Sequence, residues 1–178
     1  MANPQIDFIQ LDNVIDPSGT RHNGAAASGF VKFLDTSTSG HLDFGTLNIT
    51  NSGVYSTTKL AYFRPTSLGD ATHLFNFRFY LVNTSAWATG NYLFKYNAQV
   101  GFEASKSLGA SASGVPTSLP STQNIFSTQQ DTFIQAVAES GCSQYIYMNC
   151  YADTDVPVGT YGGPGNGGFR YRLTYDFR

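Results

Sequence analysis

The three histidines, His22, His41 and His73, are the side chains best suited to bind a metal ion or transfer a proton near neutral pH. They lie in different segments of the chain. None of them has a second histidine or a cysteine at the short spacing that metal sites use. Structural or surface positions are therefore predicted for all three.

The acidic residues give one local cluster, Asp153-Thr154-Asp155, which resembles the beginning of a calcium-binding loop. The rest of such a loop is missing, because Val156-Pro157-Val158 stands where further oxygen ligands and a glycine belong. A turn capped by the aspartates is favoured. Glycosidases need two carboxylates at a fixed separation, and nothing in the sequence selects such a pair. Asp176, between Arg172 and Arg178, is interpreted as half of a cross-strand or same-face ion pair.

The two cysteines, Cys142 and Cys150, would lie about 26 Å apart on one extended strand, which is too far for a disulfide. A turn between them would close that distance, but two free thiols are favoured, as expected in a reducing cytoplasm. Their neutral surroundings argue against a reactive thiolate. The glycine-rich segment 162–168 lacks the Lys-Ser/Thr ending of a phosphate loop. The sequence thus predicts no catalytic residue, no metal ion and no cofactor.

Three tyrosines alternate along one segment, at Tyr145, Tyr147 and Tyr151. Together with Trp87 they form a candidate aromatic platform for a sugar ring or a partner protein. The alternative is a strand buried on both faces in the middle of a sandwich. This second interpretation is favoured.

Composition restricts the class of protein. Charged residues make up 12% of the 178 residues, about half of the usual share of roughly 25%, and the formal net charge is -2. Intrinsic disorder and binding to nucleic acid through phosphates are therefore not expected. No secretory signal is recognised at the N-terminus, and no apolar run approaches the ~20 residues of a membrane-spanning helix. No membrane partner is predicted.

Alternation of apolar and polar residues predicts short strands along the whole chain. The last of them, at 169–177, has a large apolar or aromatic residue at every odd position. The other predicted strands span 30–34, 41–50 with a bulge beside Gly45, 59–64 ending before Pro65, 73–82, 92–102 and 144–152. Residues 128–139 fit a strand or a helix, with the strand favoured, and 103–124 form a long loop.

The first segment, residues 1–15, is a candidate N-terminal arm or a first strand, with apolar side chains at Ile6, Phe8, Ile9 and Leu11. An extended apolar arm can add a strand to the sheet of a neighbouring protein. The strand spacing as a whole predicts an all-β fold. We expect one antiparallel β-sandwich domain over residues 1–178, of the immunoglobulin-like or jelly-roll type.

Two motifs carry a resemblance to known families. The segment 156–161 (VPVGTY) followed by the strand FRYRLTYDF resembles the end of many viral and pilus-type β-sandwich subunits. The segment DFGTL at 43–47, followed by STTKLAYFR at 56–64, resembles the early strands of immunoglobulin-like modules. With the polar loops, the many aromatics and the scarcity of Lys and Glu, the chain is similar to small structural proteins of tailed-bacteriophage virions.

That resemblance implies a non-enzymatic virion component made in the host cytoplasm. A capsid decoration (cement) protein, which binds the major capsid protein and stabilises neighbouring subunits, is the function it favours. Such proteins bind other virion proteins and often form homo-oligomers, in many cases trimers. The alternative that it implies is a tail or baseplate accessory protein, or a receptor- or carbohydrate-binding module.

Overall fold

The described part of the chain folds into nine strands and contains no helix. The computed structural model describes residues 2–11, 31–33, 44–82, 92–125, 143–159 and 170–178. The strands are β1 (Gln5–Leu11), β2 (Val31–Phe33), β3 (Val54–Tyr55), β4 (Lys59–Ser67), β5 (Leu74–Val82), β6 (Tyr92–Gln99), β7 (Ser113–Gly114), β8 (Tyr145–Ala152) and β9 (Arg170–Phe177).

Seven of these strands form a large antiparallel sheet in the order β2-β1-β4-β8-β6-β7, with β3 also paired to β8. Strand β8 is central to it. It pairs with β6 along its whole length, from Tyr92 opposite Ala152 to Gln99 opposite Tyr145. Its other edge pairs with β4 at one end and with β3 at the other. Strand β8 has a neighbouring strand on each edge and packed side chains on each face. It contains no charged residue, as expected for a strand buried on both faces.

The remaining two strands, β5 and β9, form a small antiparallel sheet. In β9 the odd residues Tyr171, Leu173 and Tyr175 pack against the core, whereas Arg172 is exposed. The predicted strand is therefore confirmed, and its apolar face packs inward at these three residues, whereas Phe177 at its end is 48% exposed. In β5 the register shifts between Phe75 and Arg78, so one extra residue is accommodated there.

The shift in β5 changes which side chains reach the core. Asn76 lies within it and has a left-handed backbone (φ 58°), which asparagine tolerates better than most residues. As a result Leu74 and Phe77 are both buried in the core, while Phe75 is only half-buried. A strict two-residue period over 73–82 would place Phe75 on the same face as Phe77, but the bulge interrupts that period.

The two sheets face each other across one aromatic core. Phe79 of β5 packs edge-on against Phe63 of β4, with ring centroids 5.7 Å apart, and stacks on Tyr171 of β9 at 5.3 Å. Alternate residues of β8, namely Ile146, Met148 and Cys150, point into the same cluster. The described residues thus form an antiparallel β-sandwich, and the predicted all-β fold class is confirmed.

The large sheet is also covered on its other face. There the side chains of β1, β4 and β8 form a second buried cluster, on which Phe102, Leu108 and Ala112 pack from the segment that follows β6. Its buried members on the strands are Ile9, Leu11, Leu60, Tyr62, Tyr145 and Tyr147.

Three strand predictions differ from the structure: the end at residue 64, the strand at 41–50, and the strand at 92–102, which ends at Gln99. Strand β4 continues through Pro65, because the pairing with β8 covers only Lys59–Ala61 and a register shift in β1 lies directly opposite. Proline is tolerated at such irregular and unpaired positions. Residues 44–50 contain no strand, and Gly45 is left-handed (φ 78°), which breaks the extended run. Phe44, Leu47 and Ile49 nevertheless pack against the core.

The predicted long loop at 103–124 is irregular apart from β7, and it is fastened to β5. The Leu81 N–H donates to the Pro116 carbonyl at 2.8 Å. The Asn124 side chain accepts from the Phe79 N–H at 2.7 Å and donates to the Phe79 carbonyl at 2.7 Å. One edge of β5 is therefore closed by this loop.

Several predictions fall outside the described residues. They concern the segment 128–139, the glycine-rich segment 162–168, His22, His41, Trp87 and Cys142. Within the described ranges, no helix has the length and apolar character of a membrane span.

Candidate interaction surface

Two tyrosines of the predicted aromatic platform are inside the protein. Tyr145 is 3% exposed and Tyr147 is 0% exposed, and both belong to the cluster on the outer face of the large sheet. Tyr145 packs edge-on against Tyr62, with centroids 6.4 Å apart, and against Phe102 at 6.1 Å. These two rings have no face to offer a sugar, so β8 is the doubly buried strand that the alternative interpretation described.

The segment after β6 explains why these tyrosines are covered. The Tyr147 hydroxyl accepts a hydrogen bond from the Glu103 N–H at 2.7 Å, and the Lys106 ammonium lies 5.5 Å from the Tyr147 ring centroid. Lys106 also forms an ion pair with Glu103. A hydrogen bond from Lys106 is the main reason that the pKa of Glu103 lies below its usual value. The covering segment is thus fixed by polar contacts above an aromatic layer.

The four apolar residues of the candidate arm lie in a strand of the chain's own sandwich. Strand β1 pairs with β4 from Gln5 to Leu11 and with β2 from Phe8 to Gln10. Ile9 and Leu11 point into the outer cluster, while Ile6 and Phe8 pack against the core between the sheets. The stacked rings of Phe8 and Phe63 are 4.7 Å apart. In this structure the segment is a paired inner strand rather than an arm.

In the described ranges, Asp153, His73 and Cys150 have structural roles. The Asp153 carboxylate accepts from the Thr154 N–H at 2.7 Å, which caps a turn as predicted. His73 exchanges backbone hydrogen bonds with Arg178. Cys150 is a free, buried thiol, as predicted, and burial raises its pKa to about 12. No group of three or more His, Cys, Asp or Glu side chains converges as metal ligands within these ranges.

Aromatic and apolar side chains do reach solvent at one end of the sandwich, where β3 pairs with the end of β8. Tyr55 and Tyr151 are cross-strand partners with ring centroids 4.6 Å apart, and Tyr55 is 37% exposed. Val158, in the bend at 158–159 that follows β8 and its turn, is completely exposed. We call the Tyr55–Tyr151 pair, together with the exposed Val158 of the segment that follows, the end surface; Val158 is included for its place in the chain and its exposure. Of the three predicted platform tyrosines, only Tyr151 belongs to it.

The end surface combines one aliphatic side chain with two aromatic rings that each carry a hydroxyl group. Loss of hydration is the first cause that raises the pKa of Tyr151, followed by the charge of Asp153 and then by Tyr55. Tyr151 therefore keeps its neutral hydroxyl, which can donate or accept a hydrogen bond. Tyrosine with this mixed character is enriched where proteins meet.

A second surface feature, which the sequence analysis did not identify, lies on the outer face of the small sheet. Asp176 of β9 accepts from the Asn76 side chain at 2.7 Å and lies 3.8 Å from the Arg78 guanidinium. Of the two predicted arrangements for the ion pair of Asp176, the structure has the cross-strand one, with Arg78 as the partner. Only the bulge in β5 brings Asn76 to this carboxylate, and no sequence pattern marks that bulge.

Comparison with known proteins gives no match: no family model, curated protein or solved structure is significantly similar to this chain. The residues on these surfaces must therefore be interpreted from their own geometry.

Proposed function

We propose that this chain is a non-enzymatic structural protein of a virion, and that it acts as a capsid decoration (cement) protein. In this role it binds the major capsid protein across the seams between subunits. The contribution is mechanical, since each attached copy adds buried area between shell subunits.

The observation that carries the proposal is the end surface. Most aromatic side chains of the described residues pack into the two clusters, whereas Tyr55 and Val158 are exposed and Tyr151 is half-buried. Phe177 is also exposed, but it lies on the small sheet. A rigid sandwich with such an end can dock without rearranging, so little conformational entropy is lost on binding. The low share of charged residues (12%) also suits a surface that other subunits cover.

Glycan recognition by the tyrosine face of β8 receives no support from this geometry, because Tyr145 and Tyr147 are buried. The tail or baseplate accessory role remains the second candidate. It would use the same end surface, and the two roles differ in copy number.

Mass spectrometry of particles banded on a density gradient, from cultures that make this protein, tests the proposal. The decoration role predicts a copy number comparable with that of the major capsid protein. A few copies per particle would indicate the tail role. Absence from every particle fraction would refute a virion role of either kind.

Rebinding to particles stripped of this protein tests the end surface itself. Tyr55→Ser and Val158→Ser should each weaken binding by roughly tenfold if the residue lies at the centre of the contact. Leu119→Ser is the matched control, because Leu119 is 50% exposed elsewhere on the molecule. Equal binding by all three variants would place the contact on another surface.

A further inference from the structure

In the described part of the chain, the small sheet has one closed edge and one open edge. The loop 116–124 closes β5, as described above. No strand in the described ranges pairs with the other edge of β9. A two-stranded sheet is only marginally stable by itself, and an open strand edge is a template for pairing with another chain.

Along β9, residues that bond to β5 through their backbone alternate with residues whose backbone groups point away from β5. His73 and Arg178 exchange both backbone hydrogen bonds, at 3.0 and 3.2 Å, so the Arg178 backbone points toward β5. The register shift adds its extra residue to β5, and β9 itself continues regularly. Alternation along an antiparallel strand then directs the N–H and C=O groups of Leu173, Tyr175 and Phe177 toward the open edge.

This edge is held rigidly in position. The Leu173 and Tyr175 side chains pack against the core, with Tyr175 stacked on Phe77 at 5.5 Å. The Tyr175 hydroxyl donates to the Pro4 carbonyl at 3.3 Å. Phe177 is 48% exposed. A strand that arrives at this edge would meet preformed backbone groups and an exposed aromatic ring.

The charged residues of β9 are complementary to those of a second β9 strand that runs antiparallel to it. Arg172 and Asp176 lie symmetrically about Thr174 on the outer face of the strand. In an antiparallel pairing about Thr174, Arg172 of each copy lies opposite Asp176 of the other. The same register sets Leu173 opposite Tyr175, and these are residues whose backbone groups point outward. A parallel pairing would instead oppose like charges.

Asp176 can take part in such a pair. Its side chain is 47% exposed, and among the described residues it accepts one short hydrogen bond, from Asn76, while Arg78 lies at 3.8 Å. The one like-charged pair in this register, Arg170 opposite Arg178, falls at its two ends.

We propose that β9 pairs antiparallel with β9 of a second copy of this chain, about a two-fold axis at Thr174. The two small sheets then form one four-stranded sheet in the order β5-β9-β9-β5. This inference goes beyond the virion role and does not depend on it, since the dimer uses a different surface from the end surface.

Sedimentation velocity over a wide range of protein concentration tests the dimer, with two charge reversals of equal size. Arg172→Asp converts two attractive cross-strand pairs into repulsive ones, so the dissociation constant should rise roughly tenfold. Arg178→Asp removes the like-charged end pairs, so the dimer should tighten by a few-fold. Arg172→Lys should keep the dimer. Circular dichroism verifies that each variant is folded.

A chain that stays monomeric at all concentrations would refute self-pairing and leave this edge to a strand of another protein. A dimer that responds to both reversals in the same direction, or to neither, would refute the register. Either failure is distinguishable from failure of the virion proposal, which is measured by copy number on particles.

Discussion

Cys150 is 7% exposed in the core between the sheets, and burial raises the pKa of its thiol from 9.0 to about 12. Burial likewise raises the pKa of Tyr175. In both groups the low polarity of the interior disfavours the charged form. At the residue scale, these buried groups make the stability of the sandwich depend on pH in the alkaline range.

The sign of that response follows from linkage. Above about pH 9 the unfolded chain loses the Cys150 proton while the folded chain keeps it, so the free energy of unfolding falls as pH rises toward 12. One such group lowers the free energy of unfolding by at most about 1.4 kcal/mol for each unit that the pH rises. Urea unfolding of the wild type and Cys150→Ala between about pH 8.5 and 10 should show the steeper decline in the wild type. Parallel curves would contradict a buried thiol at this position.

At the scale of elements, the turn at 68–73 holds the neighbouring backbone segments at one end of the sandwich. The Asp70 carboxylate accepts from the Ala2 N–H at 2.6 Å, and the Asp70 N–H donates to the Ala2 carbonyl at 3.0 Å. His73 bonds to Arg178 on the other side. Gly69, with φ 59°, lets the chain make this close approach.

Gly69→Ala should therefore destabilise the protein. An added Cβ would lie 2.2 Å from the Ala2 carbonyl oxygen, and the left-handed backbone alone costs alanine about 1–2 kcal/mol. Gly109→Ala is the control, since nothing lies within 4 Å of a Cβ there. Urea unfolding should show a loss at residue 69 and little change at residue 109. Similar values for the two variants would mean that residues 2 and 69 are not in contact.

At the scale of the whole molecule, the large sheet is buried on both faces, and β1 contributes to both clusters. Ile9→Ala should lower the free energy of unfolding by about 2–5 kcal/mol, because it leaves a cavity at a fully buried site. Gln5→Ala, an exposed position in the same strand, should change it by less than about 0.5 kcal/mol. If both variants were neutral in chemical denaturation, β1 would be an arm after all.

The sequence alone was sufficient for the elements in which local geometry decides the structure. The alternation in β8 and β9 predicted both strands and their two faces, because successive side chains of any extended chain point in opposite directions. The Asp153 turn was predictable for a similar reason, since its carboxylate bonds to the backbone of the next residue.

Only the tertiary structure decided what covers each face. Alternation separates Tyr147 from Met148, but it does not reveal that Phe102 and Leu108 arrive from a distant segment to bury the tyrosine side. Nor does it reveal the bulge at Asn76, which exchanges the faces of β5 and brings Asn76 to Asp176. A strand's pattern is set by the geometry of neighbouring residues, whereas burial and pairing depend on segments far apart in the chain.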